Sequence, residues 1–379
     1  MYDLLGGARI LDLTSVVLGP YATQFLGDFG ADVVKVEPVS GDIFRYVRPG
    51  KSETMGAGFL NLNRNKKSVV LDLKSVDGRQ KFDELLGGAD AVVHNMRTSA
   101  AKRLGIDYES LKQLNSSLVY CSAPGYGETG RGNDLPAYDD IIQAASGIAH
   151  LNANADGEPR FMPTIICDKV GGLHLAIAVL AGLVRRANTG KGCFIEAPMF
   201  ESVVSFLMAE QLAGHTFQPP IGGLGYDRLL SPHRKPFQTK DGHIGVLPYN
   251  TQHWSRFLRF VGRDDLAEAE WVQDSTMRSE RVGELYEVIS EKMPEQTTDE
   301  WLQCFKKLDI PCSTVNKLSD LLNNGHLQDV GFFKNFEHPT EGNLRSARSP
   351  FRVLAADEKP DRSAPSLGSE NGVVSWSAR

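Results

Sequence analysis

The stretch ARILDLTSVVLGPYATQFLGDFGADVVKVE, Ala8 to Glu37, decides the fold. Ala8 to Val17 is apolar and β-branched, which predicts a buried strand. Gly19-Pro20 ends it, and a proline suits the first turn of a helix because its missing N–H would have no partner there. Tyr21, Phe25, Leu26 and Phe29 then recur at helical spacing, and Gly30 fits a helix C-terminus. ADVVKVE is a second strand. A strand, a helix and a strand within about 30 residues form a β-α-β unit, whose strands lie parallel.

The pattern repeats downstream. Ser68 to Leu73, Asp90 to Asn95 and Ser117 onward read as strands, with a helix at Val76 to Leu86 and another ending near Leu114. Tyr138 to Ile148, Lys169 to Arg186 and Met199 to Gly214 read as further helices. Alternation of this kind predicts an α/β fold with a Rossmann-like large domain. Composition shifts at Gly214 to Pro236, where prolines and glycines cluster. A hairpin signal at Asp241-Gly242 and helices at Gln252 to Val261, Arg281 to Met293 and Thr298 to Leu308 follow. The expected division is 1–224 for the first part of the large domain, 225–325 for a small α+β domain, and 326–379 for a return to the large domain.

Several classes of function are disfavoured. The net charge of −6 supplies no global basic field for nucleic acid. Five scattered cysteines without a Cys-x-x-Cys pair suit a reduced, cytoplasmic setting. The histidines show no metal-binding spacing, so no metal is expected. No basic, then apolar, leader opens the chain. The most apolar window, Val170 to Val184, is about a third short of a membrane span, so no membrane association is expected. Gly50-Lys51-Ser52 is no P-loop, because Arg45 stands where its first glycine belongs. Gly19 alone in the first β-α turn does not make a dinucleotide fingerprint.

Basic residues gather near predicted strand ends: Arg45, Arg64, Lys66, Lys67, Arg97 and Arg103. Ligands of open α/β sheets bind beyond the carboxyl ends of the strands. Arginine forks and lysine ammoniums there would suit phosphates, although solvated surface charge is the plainer reading. The loop CSAPGYGETGRG, Cys121 to Gly132, is small enough for a ligand to approach its backbone, and a plain surface loop fits equally. Asp168, in TIICDKVGG, opens a long apolar helix. As an N-cap it would complement the helix dipole and stay ionised; as a carboxylate beside Gly171 and Gly172 it could be a covalent nucleophile with room for a substrate.

Taken together, these blocks resemble the class III coenzyme A-transferases, the CaiB/BaiF family that contains formyl-CoA transferase and the carnitine CoA-transferase. The resemblance rests on Arg9 to Arg45, LNRNKKSVVLDLKS, VHNMR with KRLGIDYESL, LVYCSAPGYGETG, and Asp168 with GGLHLAIAVLAGLVRRANTGKG, in order and at the family's spacing. It implies an interlocked homodimer and no permanently bound cofactor, with acyl-CoA and a small carboxylic acid as substrates. It implies that Asp168 is the nucleophile of an aspartyl-acyl anhydride mechanism. It further implies CoA or substrate contacts from Arg45, Asn63, Arg64, Lys66, Asn95, Arg97, Arg103, Gly125, Tyr138 and Asp139.

Departures narrow the expectation. Val17 stands where formyl-CoA transferase has a glutamine, which argues against formyl or oxalyl specificity. Tyr138-Asp139-Asp140-Ile141 replaces the histidine-bearing motif of the 2-methylacyl-CoA racemase branch, and racemisation needs two acid–base groups. A racemase, or a CoA-binding protein without catalysis, stays as the alternative. His215, Arg228, His233 and Arg234 are candidates to meet the second carboxylate of a dicarboxylic acid such as succinate.

Overall fold

A computed structural model describes residues 1–154 and 156–377. The chain divides into two compact units, residues 1–207 with 330–379, and residues 208–329. The first division falls earlier than the composition shift, inside a helix whose continuous pattern hides it.

In the larger unit, six parallel strands form one sheet: β1 (Arg9–Asp12), β2 (Asp32–Glu37), β3 (Lys66–Val70), β4 (Ala91–His94), β5 (Val119–Ser122) and β6 (Cys193–Glu196). Their order is β3-β2-β1-β4-β5-β6, so the sheet is doubly wound and its winding reverses between β1 and β4. Leu11 sits opposite both Val34 and Val92. Alternation along each strand feeds two cores. Ile10, Val33, Val93 and Cys121 pack on one face, and Leu11, Val34, Val92 and Tyr120 on the other.

Helices connect the strands: α1 (Leu18–Asp28), α2 (Ala57–Leu62), α3 (Val76–Gly87), α4 (Thr98–Arg103), α5 (Tyr108–Leu114), α6 (Asp139–Ser146), α7 (Ile148–Leu151), α8 (Ile166–Thr189) and α9 (Met199–Gln211). The helix α8 runs 24 residues, longer at both ends than its apolar window, and its length and hydropathy would suffice to cross a bilayer. The expectation that it is too short is thereby corrected. Half of its apolar window is packed inside the unit. Its small residues make that packing possible. A Cβ on Gly171 would lie 2.8 Å from Leu18 Cδ1, one on Gly172 2.6 Å from the Leu18 carbonyl oxygen, and one on Gly182 2.3 Å from Val119 Cγ1. The glycine pair next to Asp168 is therefore the close crossing of α8 over α1, not clearance for a substrate.

The chain end returns to this unit as a hairpin, β10 (Phe333–His338) with β11 (Gly342–Ala347), numbered after the small unit's three strands below. A tail then lies along β2 and β3. Gly368 N–H donates to Ser68 Oγ, Asn371 Oδ1 accepts from Val70 N–H, and Trp376 Nε1 donates to Asp32. Val374 completes the core beneath. Among the described residues the tail adds no regular element; side-chain anchors hold it together with backbone bonds such as Glu370 N–H to Ser68 O.

In the smaller unit, β7 (Phe237–Gln238), β8 (His243–Val246) and β9 (Cys312–Thr314) form an antiparallel sheet. Its core centres on Trp254, Phe257, Leu285, Tyr286, Trp301 and Phe305. The hairpin turn falls at Asp241-Gly242, and Thr297 with Glu300 forms a capping box for the helix Thr298–Leu308.

The crossing gives a stability test. In Gly172→Ala the new methyl meets a backbone carbonyl that cannot rotate away. Urea denaturation should show a loss of about 1–3 kcal/mol. Gly171→Ala meets only side-chain atoms, of Leu18 and Met199, and should cost less. Equal, negligible effects would refute the crossing.

Candidate active site

At the start of α8 the first-turn N–H groups need acceptors. Asp168 does not supply one, because it is the third residue of the helix. Asp139 does. Its Oδ1 accepts from Cys167 N–H at 2.7 Å and Asp168 N–H at 3.1 Å. Gln143, one turn on in α6, donates Nε2 to Asp139 Oδ2 at 2.5 Å, and its Oε1 accepts from Met162 N–H at 2.8 Å. Gln143 thus ties the strand-like entry to α8 to the carboxylate that caps it. Its position four residues after Asp139 on a predicted helix was the sequence signal for this role.

The half-buried Asp168 carboxyl sits beside this second carboxylate. Burial, then the Asp139 charge, pushes it up to about 7. The expectation that a helix start keeps it firmly ionised is therefore corrected: near neutral pH it exchanges between acid and carboxylate. Gly125 belongs to the same surroundings. A Cβ there would lie 2.2 Å from that of Ala137, so only glycine lets the loop pack against the segment leading into Tyr138 and Asp139. Tyr138 is 68% exposed, whereas Asp139 is buried.

A second group lies where the sheet reverses. Asn95, after β4, accepts Ser15 N–H at 3.0 Å and donates to Ser15 O at 2.9 Å, fixing the loop after β1. Val16 in that loop has φ of 69°, a strained conformation for a β-branched residue. No sequence signal marks it. Arg97 precedes α4 and Arg103 ends it, and both are exposed.

The remaining basic candidates serve the fold. Arg45 is fully buried, with Nε and Nη2 on Glu37 at 2.7 Å each, two donors on Pro365 O, and Phe59 stacked 3.7 Å away. Lys66 donates to Asp12, Pro20 O and Asn63 Oδ1, and Asn63 donates to Phe59 O. Arg64 forks onto Asp28 and reaches Ala347 O. The polar atoms of these four are engaged inside the protein, where each one serves the fold.

A family model described as CoA-transferase family III matches residues 5–371. The chain belongs to CoA-transferase family III. It is 31% identical to human succinyl-CoA:glutarate CoA-transferase, over 96% of this chain and 83% of that protein. It is 29% identical to succinyl-CoA:mesaconate CoA-transferase of Haloarcula marismortui, over 96% of this chain and 93% of that one. Among solved structures, a CaiB/BaiF family protein from Brucella suis matches with a TM-score of 0.80 at 28% identity, covering 98% of both chains. Rv3272 from Mycobacterium tuberculosis matches at 0.83 and 27%, covering 97% of this chain and 98% of that one. As a family III CoA-transferase, the protein is an enzyme that uses CoA thioesters, and its parallel α/β fold agrees with these neighbours.

Two measurements test the assignments of this site. Arg45→Met should lose about 3 kcal/mol or more, since it leaves Glu37 buried without its partner; a stable variant whose only defect is a raised KM for CoA would refute the structural role. For the carboxyl pair, a catalytic role for ionised Asp168 predicts that kcat/KM rises with pH through a midpoint of about 7. Asp139→Asn still caps α8 but removes a negative neighbour, so ionisation becomes easier and the midpoint should fall. An unmoved midpoint would show that the two carboxyls do not interact.

Proposed function

We propose that this family III enzyme moves CoA from an acyl-CoA donor to a carboxylic acid acceptor through an acyl anhydride on Asp168. The observation that carries the reading is the half-buried Asp168 carboxyl, held beside Asp139 and raised to about 7. A carboxylate of raised basicity is a better nucleophile while still accessible at neutral pH. Its oxygen attacks the thioester carbonyl, the C–S bond breaks, and CoA leaves as thiolate. The acceptor carboxylate then attacks the aspartyl carbonyl, expelling the donor acid and leaving a new mixed anhydride. The thiolate attacks the acceptor's acyl carbon and frees Asp168. Each anhydride keeps the activation of the thioester, so no other energy source enters.

Arg97 and Arg103 are the CoA contacts in this reading, and Asn95 positions the loop beside them through its two bonds to Ser15. They surround the point where the sheet reverses, the common ligand crevice of doubly wound sheets, and both arginines keep exposed guanidiniums. Gly125 and Tyr138 border the thioester. The names of the relatives point to dicarboxylic acids as donor and acceptor. The working form in this reading is an interlocked homodimer in the cytoplasm. An apolar stripe of Leu173, Ile177 and Val184 on α8, with Phe206 on α9, lies exposed on the single chain and suits a second copy. Five free cysteines suit a reducing compartment, and burial pushes the thiol of Cys167 up to about 12, where it is inert.

Trapping tests the mechanism. Incubation with succinyl-CoA followed by hydroxylamine or borohydride should modify Asp168, read by peptide mass spectrometry. Asp168→Ala should lose transfer by several orders of magnitude while keeping its fold. Transfer at the wild-type rate in Asp168→Ala would sink the proposal.

A further inference from the structure

The smaller unit carries a cavity of about 540 Å³, within the range of small-molecule clefts. Arg228, Arg234 and Lys235 line it, and no acidic residue does so among the described residues. Arg228 is held in place by aromatic rings. Its guanidinium lies 5.4 Å from the ring centre of Tyr226 and 5.9 Å from that of Tyr249, and its Nε donates to Tyr226 OH at 3.3 Å. Elsewhere in the unit, Arg256, Arg263, Arg281 and Lys292 each face a carboxylate. Among the described residues, the three cavity cations have no such ion pair. Three like charges lining one cavity without a counter-ion repel one another, and an anion relieves this. Below the cations the wall is apolar, with Phe237, Val246 and Pro311.

We infer that this cavity binds a short dicarboxylic acid, one carboxylate on the cations and the methylenes on the apolar wall. The arginine fork matches a carboxylate through two parallel N–H bonds. This narrows the four candidates drawn from the sequence. Arg228 and Arg234 line the cavity and Lys235 joins them. His233 instead faces Glu287 at 3.2 Å, and His215 is not in the lining. The inference rests on the CoA-transferase reading for its substrate class.

The test uses the full chain and calorimetric titration with glutarate and succinate. Butyrate, inorganic phosphate and adenosine 3′,5′-bisphosphate serve as separate titrants. The variants are Arg234→Gln with Lys235→Gln, both exposed residues, and Arg228→Gln, each checked by thermal melting. Loss of charged hydrogen bonds should weaken dicarboxylate binding roughly tenfold or more. Butyrate, with a single carboxylate, should bind poorly throughout. Unchanged glutarate affinity in the folded double variant overturns the inference. So does a loss confined to phosphate or the bisphosphate, which would make this a CoA subsite. Trapping at Asp168 in the wild type is read separately, so failure of the mechanism and failure of this site are distinguishable.

Discussion

Six charged side chains buried around the later parts of β1 and β2 and the first residue of β3 constrain everything around them. Asp12, Glu37 and Asp42 meet Lys35, Arg45 and Lys66, none more than 3% exposed. A lone charge at such depth would cost several kcal/mol, so the set persists only because it is paired throughout. Burial alone would raise Asp12, yet the ammoniums of Lys66 and Lys35 and the hydroxyls of Thr14 and Thr23 outweigh it and hold the carboxyl at about 2. Burial lowers Lys66 to about 8, with Lys35 adding to the effect and Asp12 opposing it. The network also reaches the loop after β1. Lys35 donates to Thr14 O and Asp42 accepts Val16 N–H, while Asn95 holds Ser15 from the other side. Val16 can stay in its strained conformation because the loop is gripped from both flanks.

A similar division of labour operates at α8. The helix is placed by contacts that only glycine permits, at Gly171, Gly172 and Gly182, and its first turn is capped from another helix. Asp168 is thereby relieved of capping its own helix, and its carboxyl oxygens are left for chemistry. The residue that does cap, Asp139, also raises the Asp168 carboxyl by its charge. One side chain thus caps the helix start and, after burial itself, adds to the basicity of its neighbour, and Gln143 fixes that side chain in turn.

The sheet was legible because each β-α-β unit leaves a local trace: apolar runs of strand length, helical spacing, and breaks at glycine or proline. Asp168 was legible as a residue but not as an environment. Nothing near it in the chain announces that Asp139, 29 residues earlier, supplies its cap. The same limit explains the basic residues. Arg45 and Arg97 look alike in sequence, each beside the end of a strand. The partners that bury Arg45 include Pro365 O, 320 residues away, so its burial could not be read locally. Gly171 and Gly172 read as room for a ligand because the helix they touch lies about 150 residues upstream.

These arrangements bear on a difficulty of the proposed chemistry. An acceptor acid is an anion, and it must approach a site that already holds two carboxyls. A fully ionised pair would repel it, the more so where burial lowers the local dielectric. The raised Asp168 carboxyl lessens this, since near neutral pH the pair carries less than two negative charges on average. Acylation goes further. Once Asp168 is an anhydride its own charge has passed to the CoA sulfur, away from the aspartyl carbonyl, and the Asp139 oxygens already accept three N–H groups from α8 and Gln143. On this argument acylation should precede productive binding of the acceptor: the covalent intermediate takes the charge off the carboxyl that the acceptor must attack and moves it to the sulfur.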